Sequence, residues 1–189
     1  MKTIQIKDIS NKVLFKHTCK NNTIKITLEL AIMEGVLLEK ADLRNADLKN
    51  AYLYGANLIN ANLYNANLTN SILTNSILIN SCLIRANLTN ADLKNSDLIN
   101  ADLKNTEFNN TNIKNAILTS VNFKEAKGYR SFKSFYTSKR KVHCFKYEST
   151  WMIKDGLFWG SLEELEAKVL DTHKSKVYLM NIEYLKTLT

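Results

Sequence analysis

Between Val36 and Glu125 the chain divides into eighteen consecutive five-residue blocks without an insertion. Ala41-Asp42-Leu43-Arg44-Asn45 is followed by Ala46-Asp47-Leu48-Lys49-Asn50, and the register holds to Val121-Asn122-Phe123-Lys124-Glu125. The third position is Leu in every block except those centred on Phe108, Ile113 and Phe123. The first is small or β-branched: Ala in most blocks, Ser at 71, 76, 81 and 96, Thr at 106 and 111, Val at 36 and 121. The fifth is Asn in thirteen blocks, too many to be incidental. A period of five fits neither a helix, at about 3.6, nor a strand, at about 2. A chain with this pattern has to turn a corner every five residues, so that the third residue always faces inward. One large and one small inward side chain per block fill a narrow interior, and the residues between them point out. A superhelix with one block on each side meets these demands.

Such a stack is stabilised by neighbour contacts along one dimension. Each buried Leu contributes roughly 1.5–3 kcal/mol, which cannot offset the ordering entropy of a coil standing alone. Stacking is therefore obligatory and the two open ends need covers. The repeated Asn is expected to form outward ladders of side-chain amides, one coil above the next.

These blocks resemble the pentapeptide-repeat family, whose pattern is A(D/N)LXX, over about half of the chain. The resemblance implies a mainly β fold: a right-handed quadrilateral β-helix with four blocks per coil, hence about four and a half coils from the eighteen blocks. At about 4.8 Å between coils, that rod is on the order of 20 Å long. The quinolone-resistance relatives are acidic rods held to imitate duplex DNA and engage gyrase, so a DNA topoisomerase is one partner the resemblance implies. A DNA mimic needs dense carboxylates to match phosphate spacing. Residues 36–125 hold eight basic and eight acidic residues, with Asp42 and Asp47 near one end and Asp92, Asp97, Asp102 and Glu107 further on. That thin distribution weakens the DNA-mimic reading without closing it.

Residues 1–35 read as an N-terminal cap. Thr3–Lys7 and Lys12–His17 alternate apolar and polar around an Asp8–Asn11 turn, which predicts a strand pair. Thr23 is placed to N-cap a helix carrying Ile26, Leu28 and Ile32, and Gly35 to end it. Residues 126–189 read as a small, basic α/β domain, with strands over Ser131–Tyr136 and Val142–Ile153 and a loop marked by Gly156 and Gly160. Ser161-Leu162-Glu163-Glu164 is a capping box opening a helix through about His173, and Tyr178–Leu188 reads as a last helix. The Trp159-Gly160-Ser161-Leu162 helix start resembles the tails of small pentapeptide-repeat proteins encoded by bacteriophages and prophages.

The net charge of +8 sits in the flanks. Residues 1–35 carry six basic against three acidic residues, and 126–189 twelve against seven. Lys127, Arg130, Lys133, Lys139, Arg140, Lys141 and Lys146 are interleaved with Tyr129, Phe132, Phe135 and Tyr136. That composition suits a nucleic-acid contact, and equally a half-buried strand pair with a solvated face.

With four blocks per coil, residues twenty apart stack. Outward positions beside Leu38, Leu58, Leu78, Leu98 and Leu118 then bring together Leu37, Ile59, Ile77, Ile79, Ile99 and Ile117. Tyr64 and Ile84 lie on the next face, and Tyr52, Tyr54 and Ile72 on the preceding one. A continuous apolar stripe on a rod marks an interface. Three occupants compete for it: the chain's own tail, a second copy, giving a homodimer, or a foreign protein.

Several function classes are disfavoured. His17, His143 and His173 fall in no metal-ligand spacing, and His143 and Cys144, as strand neighbours, point to opposite faces. With no phosphate-cradling glycine loop, neither enzyme activity, a cofactor nor a metal is expected. Cys19, Cys82 and Cys144 are odd in number and widely spaced, which suits a reducing cytoplasm. No apolar run approaches a membrane span, and Met1-Lys2-Thr3-Ile4-Gln5 lacks the apolar stretch of a secretory signal. The expected function is a phage-borne binder that disables a bacterial host defence or nucleic-acid enzyme, for example a CRISPR-type nuclease. Topoisomerase modulation and nucleic-acid binding by the tail are the alternatives.

Overall fold

A computed structural model describes residues 1–133, 141–155, 158–172 and 176–187. The chain forms two compact units, Met1–Lys127 and Gly128–Thr189.

The first unit begins with a hairpin of β1 (Lys2–Lys7) and β2 (Val13–Cys19), paired antiparallel with Ile4 opposite His17 and Ile6 opposite Phe15. Its turn is made by Asp8, whose Oδ1 accepts from the Ser10 and Lys12 amides at 2.9 Å, and by Asn11 at φ 70°. Helix α1 (Ile24–Met33) starts where Thr23 Oγ1 accepts from the Ile26 amide. It stops at Gly35, with φ +70°, where the Gly35 and Val36 amides return to the Ile32 and Ala31 carbonyls. That left-handed C-cap requires a residue without a Cβ penalty. Both elements cover the first coil. The Asp42 amide donates to the Lys7 carbonyl at 2.8 Å, and the Tyr52 amide to Glu29 Oε1 of α1 at 2.7 Å. Backbone donors that would otherwise end the ladder are satisfied there.

The repeat segment is a β-helix. Parallel bridges run from Asp42–Asn62 to Glu107–Lys127, each joining residues twenty apart. One block illustrates the pattern: the Leu78 amide donates to Asp97 O at 2.7 Å and the Asn80 amide to Ile99 O at 2.9 Å, one coil on. The Ser81 amide returns to Leu78 O at 3.1 Å and closes a turn. The fifth residue of every block, from Lys40 to Glu125, has positive φ, as at Asn80 (55°) and Gly55 (67°). The prevalence of Asn thus has a torsional cause as well as the expected amide ladder, because Asn is among the few residues with a Cβ that tolerate the left-handed region. The ladder itself is present: Asn65, Asn70, Asn90, Asn100 and Asn115 donate to the Asn twenty residues earlier at 3.0–3.2 Å.

Every third-position side chain is buried, Leu78 completely. Small hydroxyl residues enter the interior because they bond to backbone: Ser71, Ser81 and Ser96 donate to the carbonyls of Leu68, Leu78 and Leu93, each at 2.7 Å. The ladder also runs past the expected boundary at Glu125. Ala126 is buried and the Lys127 amide bonds Thr106 O at 2.8 Å, so one more partial block stacks before Gly128.

The second unit is a four-stranded antiparallel sheet of β3 (Tyr129–Lys133), β4 (Lys141–Tyr147), β5 (Thr150–Asp155) and β6 (Phe158–Ser161), in chain order. Helices α2 (Leu162–Thr172) and α3 (Lys176–Lys186) complete it. Val142, Cys144, Trp151 and Ile153 pack with Leu162, Leu165, Val169, Ile182 and Leu185 in one core. Two expectations need correction. The single strand over Val142–Ile153 is two strands, broken at a Glu148–Ser149 turn in which Glu148 has φ 50°. Gly160 lies in β6, paired with Ile153 of β5, rather than in a loop, and a Cβ there would come within 2.5 Å of Glu164 Oε2 and 2.7 Å of Phe158 Cζ. Gly156, His173 and residues 134–140 lie outside the described residues. The capping box is formed: the Ser161 amide donates to Glu164 Oε2 at 2.7 Å and the Glu164 amide to Ser161 Oγ at 3.2 Å.

Candidate protein-binding face

Which outward residues meet is decided by the twenty-residue rise. Second block positions stack as Asn57–Ile77–Asp97–Ile117 through consecutive bridges. Fourth positions stack as Ile59–Ile79–Ile99–Thr119, since the Lys40, Asn60, Asn80 and Asn100 amides bond to those four carbonyls in turn. The same bond from Lys40 places Leu37 and Glu39 at the head of the two columns. Asn57 Nδ2 donates to Glu39 Oε1 at 3.1 Å, which ties the first two levels together. Leu37 and Ile117, near the two ends, are 64% and 47% exposed, while Ile59, Ile77, Ile79 and Ile99 between them are half-buried. The six residues named from sequence therefore form one face.

Tyr64 and Ile84 stack in the neighbouring column, where the Asn65 amide bonds Ile84 O at 2.9 Å. Tyr64 is partly engaged: Arg85 Nη1 donates to its hydroxyl at 2.9 Å, with the guanidinium 5.9 Å from the ring centroid. Tyr52 and Tyr54 stack at 6.1 Å and are 53% and 45% exposed, beside exposed Ile72. Sequence reading passed over the polar members of the face. Asn57 Oδ1 accepts from the Ile59 amide at 3.2 Å and Asp97 Oδ1 from the Ile99 amide at 3.0 Å. Either residue type thus serves the same local bond, and only the stacking shows that both punctuate the apolar columns.

The basic set is divided between the two units, with Lys127 in the first and Arg130, Lys133, Lys141 and Lys146 in the second. Lys127 is the last rung of the β-helix and pairs with Glu107 at 2.7 Å. Arg130 on β3 is exposed and donates to its own neighbour, Tyr129 O, at 2.9 Å. Lys133 and Lys141 are register partners between β3 and β4, and Lys139 and Arg140 lie outside the described residues. Lys146 sits opposite Trp151, its ammonium 5.7 Å from the ring centroid. Of the interleaved aromatics, Tyr129 is buried; its hydroxyl lies 2.9 Å from His143 Nδ1, and burial pushes its pKa up to about 12. Cys144 points into the core, where burial raises its thiol well above the ordinary range, so it and His143 share no site. Among the described residues no group of His, Cys, Asp or Glu is placed to hold a metal ion, and no helix is long and apolar enough to cross a membrane.

The carboxylates of the repeat segment are largely engaged by the chain itself. Arg44 bonds Asp42 through two nitrogens at 2.7 and 2.6 Å, holding that carboxyl below the usual range. Asn112 and Asn122 donate to Asp92 and Asp102, both at 2.9 Å.

A family model described as pentapeptide repeats matches residues 31–70, 51–90 and 86–124, with eight copies. No curated protein matches. Among solved structures, HetL from the cyanobacterium Nostoc sp. strain PCC 7120, a pentapeptide repeat protein involved in heterocyst differentiation regulation, is 32% identical over 49% of this chain and 45% of its own, with a TM-score of 0.48. Rfr23 from the cyanobacterium Cyanothece 51142 is 35% identical over 45% of this chain and 58% of its own, with a TM-score of 0.45. Trypsin-treated QnrB1, a plasmid-mediated fluoroquinolone resistance protein, is 20% identical over 47% and 56%, with a TM-score of 0.25. The chain thus covers less than two thirds of each of these structures.

Proposed function

The repeat segment of this chain belongs to the pentapeptide-repeat family, and from that premise we propose that the protein is a non-enzymatic binder that acts by occupying the surface of another protein. We read the repeat segment as a right-handed, four-sided tube of about four and a half coils, a shape supported by the twenty-residue interval between every bridged pair. A tube ordered by two backbone bonds per block loses little entropy on docking, so contact area converts efficiently into affinity. The observation that carries the proposal is the alignment of Leu37, Ile59, Ile77, Ile79, Ile99 and Ile117 in two stacked columns punctuated by Asn57 and Asp97, a contact surface used directly or through a second copy of the chain. The partner we favour is a cytoplasmic bacterial host protein, in particular a nuclease-type defence component, with the gene carried by a phage; the resemblance of the tail is the ground for that choice.

Two competing readings fit less well. Topoisomerase modulation by DNA mimicry needs free, closely spaced carboxylates, whereas Asp42, Asp92, Asp102 and Glu107 are bonded to Arg44, Asn112, Asn122 and Lys127. Nucleic-acid binding by the tail calls for displayed aromatics beside free cations; among the described residues of the basic set, Tyr129 is buried and Lys127 is paired with Glu107.

The test is a plasmid-interference assay in bacteria with an active CRISPR-type system, comparing the wild-type chain with Ile79→Lys/Ile99→Lys. Restored plasmid uptake with the wild type, lost with the folded double variant, is the expected result. Equal uptake with both chains, or none with either, refutes the proposal. Gel shifts at low salt with the full chain address nucleic acid directly, and none is expected.

A further inference from the structure

Along the axis of the β-helix the apolar face is palindromic in polarity. The second block positions run Leu37, Asn57, Ile77, Asp97, Ile117, and the fourth run Glu39, Ile59, Ile79, Ile99, Thr119. The first column is apolar, polar, apolar, polar, apolar. The second is polar, three times apolar, polar. Both are centred on the coil that holds Ile77 and Ile79.

We propose that this face is occupied by a second copy of the chain, with the two tubes antiparallel about a two-fold axis that lies in the face, crosses the tubes at right angles and is level with Ile77 and Ile79. The proposal rests on reading the face as a contact surface and names its occupant. Such an axis keeps each column opposite itself and reverses its direction. Leu37 then meets Ile117, Ile59 meets Ile99, and Ile77 and Ile79 each meet their own copies. The polar residues also find partners. Asn57 meets Asp97, and Glu39 meets Thr119, an amide and a hydroxyl donor each opposite a carboxylate. The capacity is there: one hydrogen of Asn57 Nδ2 is taken by Glu39, leaving the second, and Asp97 uses one oxygen on the Ile99 amide, leaving the other. A parallel dimer, with its axis along the tubes, sets each column against the other instead. Asn57 would face Ile59 and Asp97 would face Ile99, burying two carboxylates on hydrocarbon at high cost. Only the antiparallel arrangement matches like with like at every level.

Four inter-coil steps of about 4.8 Å separate Leu37 from Ile117, roughly 19 Å, which makes a small interface, and the dimer is expected to be a weak one, with a dissociation constant on the order of micromolar. The stacked Tyr52 and Tyr54 stand on the preceding face and stay exposed, where a foreign protein could meet them.

Sedimentation of the full-length protein from about 1 to 300 μM spans that range, and the mass is expected to rise from 21.6 kDa toward twice that value. Ile79→Lys sets two ammonium groups against each other at the axis and is expected to leave monomer only. Asn57→Asp places a carboxylate opposite Asp97 at two symmetric points and is expected to weaken the dimer about a hundredfold or more. Adding Asp97→Asn exchanges the pair and is expected to restore it. Both changes occur at a block position where this chain already uses either residue, so thermal melts confirm that the fold survives. A wild type that stays monomeric, a dimer indifferent to Ile79→Lys, or an Asn57→Asp defect that Asp97→Asn leaves in place each overturns the proposal. A monomeric wild type that still relieves plasmid interference, and loses this with Ile79→Lys/Ile99→Lys, assigns the face to a foreign protein. A dimer obeying the swap without effect on interference supports this proposal and counts against the defence-inhibitor reading.

Discussion

Asn80 stands at a corner of the β-helix with φ 55° and accepts, through Oδ1, a hydrogen bond from Asn100 Nδ2 at 3.1 Å. Replacing it by alanine and, separately, by glycine divides these two roles. Both substitutions remove the ladder bond, which is exposed and therefore contributes only about 0.5 kcal/mol. Alanine additionally places a Cβ in the left-handed region without the local hydrogen bonding that reconciles Asn to it, at about 1 kcal/mol. Glycine meets no such penalty. Gly55 already fills the equivalent corner at φ 67°, and a Cβ built there meets nothing within 4 Å, so torsion rather than space selects the residue. Asn80→Ala should therefore cost about 1.5 kcal/mol and Asn80→Gly about 0.5 kcal/mol. At roughly 2–4 °C per kcal/mol for a chain of this size, the melting temperature falls by about 3–6 °C for alanine and 1–2 °C for glycine. Thermal melts of the full-length protein followed by circular dichroism, with urea midpoints as a second measure, resolve that difference. If alanine and glycine melt together, the corner torsion does not explain the Asn repeat and the amide ladder alone must.

Other substitutions examine the interior and the second unit. Ser76 Oγ is buried with no hydrogen-bond partner, whereas Ser81 Oγ bonds Leu78 O at 2.7 Å; in urea titrations Ser76→Ala should be neutral or stabilising and Ser81→Ala should cost about 1 kcal/mol, and equal costs would contradict this. Gly160→Ala forces a Cβ onto Glu164 Oε2 and Phe158, disturbing both β6 and the capping box; a loss of about 1–3 kcal/mol from the second unit is expected, and an unchanged urea midpoint would remove the packing explanation for this glycine. Cys144 and Tyr129 are acids whose protons the fold retains, both raised chiefly by burial, Tyr129 to about 12. The unfolded chain releases those protons near pH 8.5 and 10, so above about pH 8.5 it binds fewer protons than the folded state and stability falls as pH rises. Urea midpoints of the second unit should decline from about pH 8 to 11, with Cys144→Ala flattening the first part of the fall; a flat wild-type profile would refute the assignment.

Local chemistry made much of this protein legible before any coordinates. Leu at every fifth position demands a corner per block, because no other backbone path keeps Leu73, Leu78 and Leu83 all inside. Thr23 and the Ser161–Glu164 box announce helix starts because their side chains bond amides only three residues away. Such signals are complete within a few residues, so composition carries them. The Glu148–Ser149 turn was not legible: it interrupts a run of strand-forming residues, and what breaks the run is the pairing of β4 with β5. The place of Gly160 is hidden from the sequence for a related reason, since its need for hydrogen in place of a Cβ comes from Phe158 and Glu164 after both are packed. The torsion at the Asn corners and the alternation of Leu37, Asn57, Ile77, Asp97 and Ile117 belong to the same class. Each depends on residues twenty apart being bonded coil to coil, and that register is set by backbone ladders, which every block makes alike and no single block encodes.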